Sequence, residues 1–348
     1  MKLIIQIPCF NEAQSIAITL AALPRQVKGF NRVEWLVIDD GSADDTAAVA
    51  RRNGAHHVVR HTSNQGLARA FMTGIEASIR LGADVIVNTD ADNQYDARDI
   101  PALVEPICQG VAEIVIGARP IAEIAHFSAA KKFLQKLGSW VVRTASRTTV
   151  EDAASGFRAF SRDAAQRLTV FSDYTYTLET IIQAGQKNMA VVSVPIRVNP
   201  DMRPSRLVKS VPSYVFRSML TICRIFVIYR PGRFFGTLGA ALLAASFVPG
   251  LRFLVLYISG DGQGHVQSLI LASILAGMGI QTLLAAVLAE LLATNRKLLE
   301  DIRYTAKRAE PVVSSRGENS FALVVPHRRE NRARPHILDL NRNKAGTR

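Results

Sequence analysis

Two long apolar segments near the C-terminal end limit what this chain can fold into more than any other feature. They cover residues 234–258 and 266–293, and a polar loop at 259–265 separates them. A helix needs about 20 residues to cross roughly 30 Å of hydrocarbon, and both segments reach that length. The pattern predicts a transmembrane helical hairpin. The alternative is a pair of core helices in a soluble helical domain.

Basic residues flank this hairpin on both sides, whereas the connecting loop contains no Lys or Arg. The flanking residues are Arg197, Arg203, Arg206, Lys209, Arg217, Arg224, Arg230 and Arg233 before it and Arg296, Lys297, Arg303, Lys307 and Arg308 after it. By the positive-inside rule, both termini are predicted to be cytoplasmic. Arg252 interrupts the first segment near its far end, where an arginine side chain can extend to the interface.

The first part of the chain alternates short apolar runs with helical patterns. The runs at 3–7, 35–38, 57–60, 85–87 and 114–116 are the predicted strands. Strands and helices in alternation predict an α/β domain with a mainly parallel sheet that is covered on both faces.

The predicted boundaries follow these patterns. The α/β domain covers 1–210, and an amphipathic juxtamembrane helix covers 211–233. The two transmembrane helices lie within 234–293, and a basic tail at 294–348 is expected to be partly disordered.

The composition excludes a disordered chain, because 48% of the residues are hydrophobic and 20% are charged. A net charge of +13 predicts an anionic partner. The charges concentrate around the spans and the tail with little aromatic interleaving, which favours lipid over nucleic acid.

The cysteine usage indicates the compartment. Cys9, Cys108 and Cys223 are too few and too far apart for a disulfide framework or a metal cluster, so a reducing compartment is expected.

Acidic residues follow two of the predicted strands. Asp90, Asp92 and Gln94 come after the run at 85–87, and Asp39 and Asp40 come after the run at 35–38. The carboxyl ends of parallel strands share one rim, where ligands collect. Carboxylate and amide oxygens suit Mg²⁺ or Mn²⁺, which could hold a diphosphate. Acidic turns and helix caps are the alternative explanation.

These motifs, in this order, resemble family 2 glycosyltransferases over roughly the first 230 residues. The motifs are Ile7-Pro8-Cys9-Phe10-Asn11-Glu12, Val37-Ile38-Asp39-Asp40-Gly41-Ser42, Asn64-Gln65-Gly66 and Asp90-Ala91-Asp92. Asp152-Ala153-Ala154-Ser155-Gly156-Phe157-Arg158 and the two-span anchor resemble more narrowly the polyprenyl-phosphate glycosyltransferases, which include dolichyl-phosphate mannose synthases.

The resemblance implies a GT-A fold, which is a Rossmann-like α/β sheet, and it implies a role for each matching residue. Pro8, Glu12, Asp39, Asp40 and Asp90 would bind the nucleotide. Asp90, Asp92 and Gln94 would hold the metal ion, Mg²⁺ or Mn²⁺. Arg119 would stabilise phosphate charge, and Asp152 would act as the base or orienting carboxylate, with Glu179 ranked below it.

Several polar residues are candidates for binding the phosphate of a lipid acceptor. They are Lys132, Lys136, Ser139, Arg158, Arg203, Ser205 and Arg206, and each could equally be a solvated surface residue. The segment 203–206 is expected to close over the donor.

The implied function is inverting transfer of a sugar from a nucleotide-sugar to a polyprenyl phosphate at the cytoplasmic membrane face. Subfamily resemblance favours UDP-glucose or UDP-N-acetylglucosamine over GDP-mannose. A processive polysaccharide synthase fits less well, because no Gln-x-x-Arg-Trp motif is present. An inactive membrane scaffold or a nucleic-acid-binding protein is the alternative of another class. Small residues at Gly236 and 239–241 leave a homo-oligomer open.

Overall fold

The computed structural model describes residues 1–120, 143, 146, 148–170, 176–200, 227, 230–260, 264–309 and 322–325. Several predictions fall outside these residues. They concern Lys132, Lys136, Ser139, Arg203, Ser205 and Arg206, most of the juxtamembrane segment 211–233 and most of the tail beyond 309.

A single eight-stranded sheet organises the α/β domain. The strands are β1 Lys2–Cys9, β2 Arg32–Asp39, β3 His57–His61, β4 Val85–Asn88, β5 Ile114–Ala118, β6 Arg158–Ser161, β7 Val191–Pro195 and β8 Ala322–Val325. Their order is β7-β5-β6-β4-β1-β2-β3-β8. Only β6 runs antiparallel to its neighbours, β4 and β5. The predicted mainly parallel sheet is confirmed, and each predicted strand lies within β1 to β5.

Helices cover both faces of this sheet. They are α1 Ile16–Ala22, α2 Thr46–Arg52, α3 Leu67–Arg80, α4 Ile100–Cys108, α5 Arg162–Arg167 and α6 Thr177–Gln186. Successive residues of β1 point to opposite faces, so Ile4 joins the core under α3, α5 and α6, while Leu3 and Ile5 join the core under α1, α2 and α4. The rim at the strand ends is thus held from both sides by packed apolar layers.

The two apolar segments form the helices α7 Pro231–Ile258 and α8 Val266–Ala309. Both are long and apolar enough to cross a membrane, and they pack against each other. A Cβ on Gly239 would lie 3.0 Å from the carbonyl oxygen of Gly279, so the two glycines permit close packing. Gly239 therefore packs against the other helix of the same chain. Gly236, which was also predicted as an oligomer contact, differs from it, because a Cβ added there would have no atom within 4 Å.

The structure differs from the sequence prediction at two places in the C-terminal part. Helix α8 continues beyond residue 293 to Ala309, because residues 294–309 contain no Gly or Pro to end it. Strand β8 lies in the tail that was predicted to be partly disordered, and it pairs in parallel with β3, which would otherwise be an edge strand. Valines favour strands, and an edge strand offers unpaired backbone groups to a partner.

Candidate active site

The carboxyl ends of β1, β2 and β4 form one rim of the sheet. In the strand register Cys9 lies beside Asp39, and Gln6 lies beside Asn88. The loops that follow these three strands therefore leave the sheet next to one another. This arrangement brings the segments that begin at Asp39 and Asp90 to the same edge, as the motif positions predict.

The loop after β4 carries Asp90 and Asp92, both partly exposed. The Asp92 carboxylate accepts a hydrogen bond from the backbone N–H of Gln94 at 3.1 Å. Asn93 between them has a φ of 55°, a left-handed conformation that Asn tolerates. Asn199 donates its side-chain N–H to the carbonyl of Asn93 at 2.9 Å, and its backbone N–H to the carbonyl of Gln94 at 2.8 Å. The loop is thus fixed to the segment at Asn199 by two hydrogen bonds.

The Asp90 carboxylate is surrounded by protein groups, although the residue as a whole is partly exposed. Burial, together with the nearby Asp92 carboxylate, raises the pKa of Asp90 to about 7, although Arg119 acts in the opposite direction. Tyr95 forms a side-chain hydrogen bond with Asp90, and the Tyr95 hydroxyl accepts the backbone N–H of Gly156 at 3.0 Å. Two neighbouring carboxylates that disfavour each other's charge would be stabilised by a cation between them.

The donor set fits a divalent cation that shares its coordination with a ligand. Among the residues the structure describes, no group of three or more His, Cys, Asp or Glu side chains could enclose a metal ion. Asp90 and Asp92 supply hard oxygen donors, and the remaining positions would be left for water or phosphate oxygens. This arrangement is typical of a site in which the metal ion binds together with a phosphorylated substrate.

Gly156 places the loop 152–157 directly against Asp90. A Cβ at this position would lie 2.9 Å and 3.0 Å from the two Asp90 carboxylate oxygens and 3.0 Å from the Tyr176 hydroxyl. Those distances are shorter than ordinary van der Waals contacts, so only glycine fits unless Asp90 moves. The position of Asp90 therefore depends on a residue more than sixty positions further along the chain.

We expect Gly156→Ala to lower catalytic activity by about tenfold to a hundredfold, because a displacement of about 1 Å at a reacting group costs that much. The measurement is activity as a function of metal concentration, together with the thermal unfolding midpoint. Gly236→Ala is the matched control, because a Cβ there meets no atom within 4 Å. A Gly156→Ala protein with unchanged activity and metal dependence would show that Asp90 tolerates displacement.

Asp39 and Asp40 lie at the end of β2, and both are buried. Asp39 accepts the backbone N–H of Ser42 at 3.0 Å, and its second oxygen, Oδ2, lies 3.2 Å from Arg60 Nε but receives no hydrogen bond. Asp40 lies 2.6 Å from His61 Nδ1 and accepts the backbone N–H groups of Gln65 and Gly66 at 2.9 Å and 2.8 Å.

The two neighbouring acids therefore have different roles. Asp40 shapes the loop between β3 and α3, because protein donors occupy both of its oxygens. Asp39 keeps one buried oxygen that can accept a further hydrogen bond. The nucleotide contact of Asp40 stays a prediction.

The loop after β1 packs against the loop after β2. The backbone N–H groups of Asn11 and Glu12 donate to the hydroxyls of Ser42 and Thr46, each at 2.9 Å. Ser15 donates to the Glu12 carboxylate at 2.5 Å, and Pro8 is buried in β1. Glu12 is partly exposed, on the loop that contacts the segment after Asp39.

Arg119 and Asp152 form a two-point ion pair next to Asp90. Arg119 Nε lies 2.6 Å from Asp152 Oδ2, and Arg119 Nη2 lies 3.1 Å from Asp152 Oδ1. The Asp152 side chain is 1% exposed and the Arg119 side chain 10% exposed. Asp152 is thereby better suited to orienting Arg119 than to accepting a proton, because both of its oxygens face the guanidinium group.

The structure corrects the prediction that Arg158 contacts an acceptor phosphate. Its guanidinium group is fully buried and donates to the backbone carbonyls of Ser155, Thr177 and Ala153 at 2.8, 2.7 and 2.9 Å. Burial lowers its pKa to about 10. Arg158 instead holds the loop 152–157 against α6, which also carries the largely buried Glu179.

Sequence reasoning missed a buried polar network behind the rim. Gln6 donates to the Asn88 side chain at 2.9 Å, and Asn88 donates to the carbonyl of Gly156 at 2.8 Å and to the Tyr176 hydroxyl at 2.9 Å. Phe71 stacks on Tyr176 with a centroid separation of 3.9 Å. The available signal was a polar residue inside the apolar run at 3–7 and another directly after the run at 85–87; these two residues, Gln6 and Asn88, are register partners in the sheet.

A mainly parallel sheet with paired carboxylates at its carboxyl rim is typical of the GT-A class of transferases. The chain belongs to glycosyltransferase family 2, and the model described as "Glycosyl transferase family 2" matches residues 4–169. It is therefore a glycosyltransferase, and its two apolar helices indicate that it is anchored in a membrane.

Relatives with assigned names support this placement. An uncharacterized glycosyltransferase of Mycobacterium bovis is 33% identical over 56% of this chain and 84% of its own length. The undecaprenyl-phosphate mannosyltransferase of Micrococcus luteus is 27% identical over 56% of this chain and 83% of its own length. The UDP-N-acetylglucosamine–dolichyl-phosphate N-acetylglucosaminyltransferase of Methanococcus voltae is 28% identical over 55% of this chain and 83% of its own length.

A solved structure shares the fold. Glucosyl-3-phosphoglycerate synthase from Mycobacterium tuberculosis, crystallised with Mn²⁺, UDP and phosphoglyceric acid, superposes with a TM-score of 0.50 and 21% identity. The match covers 64% of this chain and 78% of that one. At this identity the likeness establishes the GT-A fold.

Proposed function

We propose that this protein is an inverting glycosyltransferase that moves a sugar from a nucleotide-sugar to a polyprenyl phosphate at the cytoplasmic face of a membrane. The observation that carries the proposal is the pair Asp90 and Asp92 on the rim of a GT-A sheet, in one chain with two helices of membrane-spanning length. Relatives named for undecaprenyl and dolichyl phosphate support the acceptor class.

The nucleotide binds at the carboxyl rim of the sheet, beside the packed loops that follow β1 and β2. The buried Asp39 oxygen that lacks a hydrogen bond accepts the ring N–H of the base. Pro8 lies in β1 and Glu12 on the loop that follows it, and Asp40 fixes the neighbouring loop at Gln65 and Gly66. Asp90 lies on the diphosphate side, because β4 is the neighbour of β1 away from β2.

Asp90, Asp92 and Gln94 hold a divalent cation, Mg²⁺ or Mn²⁺. When bound, the cation supplies positive charge that stabilises the departing nucleoside diphosphate. The loop geometry supports this role, because Asn199 fixes the backbone at Asn93 and Gln94, and Tyr95 forms a hydrogen bond with the Asp90 carboxylate. Arg119 adds a second positive charge beside Asp90, where it can pair with phosphate oxygens.

The reaction is a direct displacement. An oxygen of the lipid phosphate forms a bond to the anomeric carbon, while the bond from that carbon to the nucleoside diphosphate breaks and its electron pair leaves with the diphosphate. A phosphate monoester has its second pKa near 6, so the attacking oxygen is already anionic at neutral pH. Asp152 therefore serves by orienting Arg119, and no strong base is needed.

Cationic and hydroxyl side chains bind the acceptor phosphate in this proposal. Lys132, Lys136, Ser139, Arg203, Ser205 and Arg206 remain candidates for this contact. The donor is UDP-glucose or UDP-N-acetylglucosamine, in line with the Methanococcus voltae relative, and GDP-mannose is the alternative that the Micrococcus luteus relative supports.

Both ends of the chain lie on the cytoplasmic side in this proposal. Residues on each side of the helical hairpin pack in one body, because β8, which follows the hairpin, pairs with β3, which precedes it. Two helices that cross a membrane between these strands must therefore return the chain to its starting side. The basic flanks favour the cytoplasm as that side.

The test is to offer purified membranes a panel of radiolabelled nucleotide-sugars with undecaprenyl and dolichyl phosphates, with and without Mg²⁺ or Mn²⁺. We expect one donor to yield a labelled lipid, and we expect EDTA to abolish the product. A product that persists in EDTA would contradict the metal site. Absence of labelled lipid with every donor would contradict the transferase and favour the scaffold alternative.

A further inference from the structure

Helix α8 is longer than a membrane crossing requires. It has 44 residues, which at 1.5 Å per residue give about 66 Å, whereas the hydrocarbon layer is roughly 30 Å thick. Residues 294–309, called here the α8 extension, begin just before the charged pair Arg296 and Lys297. The extension therefore continues out of the apolar span as a rigid helix.

The extension contacts the α/β domain through one polar face. Glu300 is 7% exposed and lies 3.0 Å from Lys187 Nζ. The Tyr304 hydroxyl donates to Asp163 Oδ1 at 2.8 Å. Arg296, Glu300 and Tyr304 are spaced four residues apart, so they lie on the same side of the helix. The contact is a continuous stripe along the extension.

The domain presents a matching set of charged groups from separate elements. Arg167, at the end of α5, lies over the Tyr304 ring at 5.6 Å and pairs with Asp163 at 2.7 Å. Lys187, the residue after α6, also donates to the backbone carbonyl of Arg167 at 2.6 Å. The surface that receives the extension is therefore tied together internally.

The Glu300–Lys187 pair is more than a surface contact. Exposed ion pairs contribute little to stability, but removing one partner of a buried pair leaves an uncompensated charge and is strongly destabilising. Glu300 is among the few buried carboxylates of the described residues, and Arg296 adds a second cation at 3.7 Å from it. The burial of the Glu300 carboxylate against the domain therefore depends on the cation that Lys187 supplies.

We propose that the α8 extension is a strut that docks on α5 and on the end of α6, and that it fixes the position of the catalytic rim relative to the bilayer. Because the strut is continuous with a membrane span, the domain cannot rotate freely about a flexible linker. A lipid-bound phosphate, which moves only in the plane of the membrane, then meets the rim at a constant height. This role rests on the proposed lipid acceptor.

The test uses charge exchange across the docked surface in the full-length protein in lipid nanodiscs. We expect Glu300→Lys and Lys187→Glu each to raise the KM for polyprenyl phosphate by about tenfold, with the donor KM unchanged. The reciprocal double variant Glu300→Lys/Lys187→Glu is expected to restore most of this loss, since opposite charges face each other again. Lys297→Glu, on the exposed side of the same helix, is the matched control.

Hydrogen exchange gives a readout that does not depend on catalysis. The single variants are expected to lose amide protection in the extension and in α5, and the double variant is expected to regain it. Single variants that keep both the amide protection and the KM for polyprenyl phosphate would contradict the strut proposal. A double variant that regains neither the amide protection nor the KM would contradict it as well. If the single variants lose amide protection and the double variant regains it, but the protein labels no lipid, the docking of the extension would be supported and the proposed lipid acceptor would be contradicted.

Discussion

Replacing Asp92 with Asn is expected to reduce sugar transfer by about a thousandfold or more, because metal ions contribute several kcal/mol to stabilising charge in such reactions. The amide keeps the size of the side chain and its ability to accept the Gln94 N–H, but it loses the negative charge. Asp90 alone is a poor substitute, because its own carboxylate is held where burial disfavours ionisation. The loss should therefore be chemical rather than structural.

The measurement is the initial rate of labelled-lipid formation over a series of Mg²⁺ and Mn²⁺ concentrations, with the unfolding midpoint as a check on folding. Glu105→Gln removes an exposed carboxylate from α4 of the same domain and should leave the rate within about twofold, as is usual for surface substitutions. If Asp92→Asn retained a tenth of the rate at saturating metal, Asp92 would not be a metal ligand.

Breaking the Arg119–Asp152 pair is expected to cost about a hundredfold in kcat, since a misplacement of about 1 Å near the reacting groups costs about that much. Asp152→Asn leaves the Arg119 guanidinium without a counter-charge, so Arg119 should leave its position beside Asp90. Arg119→Lys should lose a similar factor, because an ammonium group cannot make the two parallel contacts. The loss for Asp152→Asn is therefore expected to be smaller than the loss for Asp92→Asn.

The losses in kcat of the single and double variants show whether Arg119 and Asp152 act as a unit or independently. The double variant Arg119→Ala/Asp152→Ala should be no worse than the poorer single variant, as is expected of residues that act as a unit. Arg197→Ala, which breaks the exposed Arg197–Asp99 ion pair on the same domain, is the control and should change kcat by less than about threefold. Fully additive losses would show that Asp152 acts on the substrate by itself.

The parts of the fold that sequence predicted are those that repeat a local pattern. Apolar runs of strand length alternate with helical spacing, so β1 to β5 and the parallel sheet follow from chain order. The position of Asp39 and Asp90 on one rim follows from the same reasoning, since each comes directly after a parallel strand. The two apolar helices follow from length and composition.

What escaped prediction depends on contacts between distant residues. Arg158 stands in a motif beside polar residues, but the antiparallel insertion of β6 between β4 and β5 buries it. His61 has no local signal that it pairs with Asp40, because the contact arises from the adjacency of β2 and β3. Glu300 looks like an ordinary helix-surface acid, and only its approach to Lys187 gives it a role.

The pairing of β8 with β3 has a consequence for how the protein is made. Domains generally fold from the N-terminal end while the ribosome is still adding residues. Residues 322–325 are synthesised only after α7 and α8, so β3 remains an edge strand until both apolar helices have left the ribosome. The last backbone ladder of the sheet can therefore close only after both apolar helices have been synthesised.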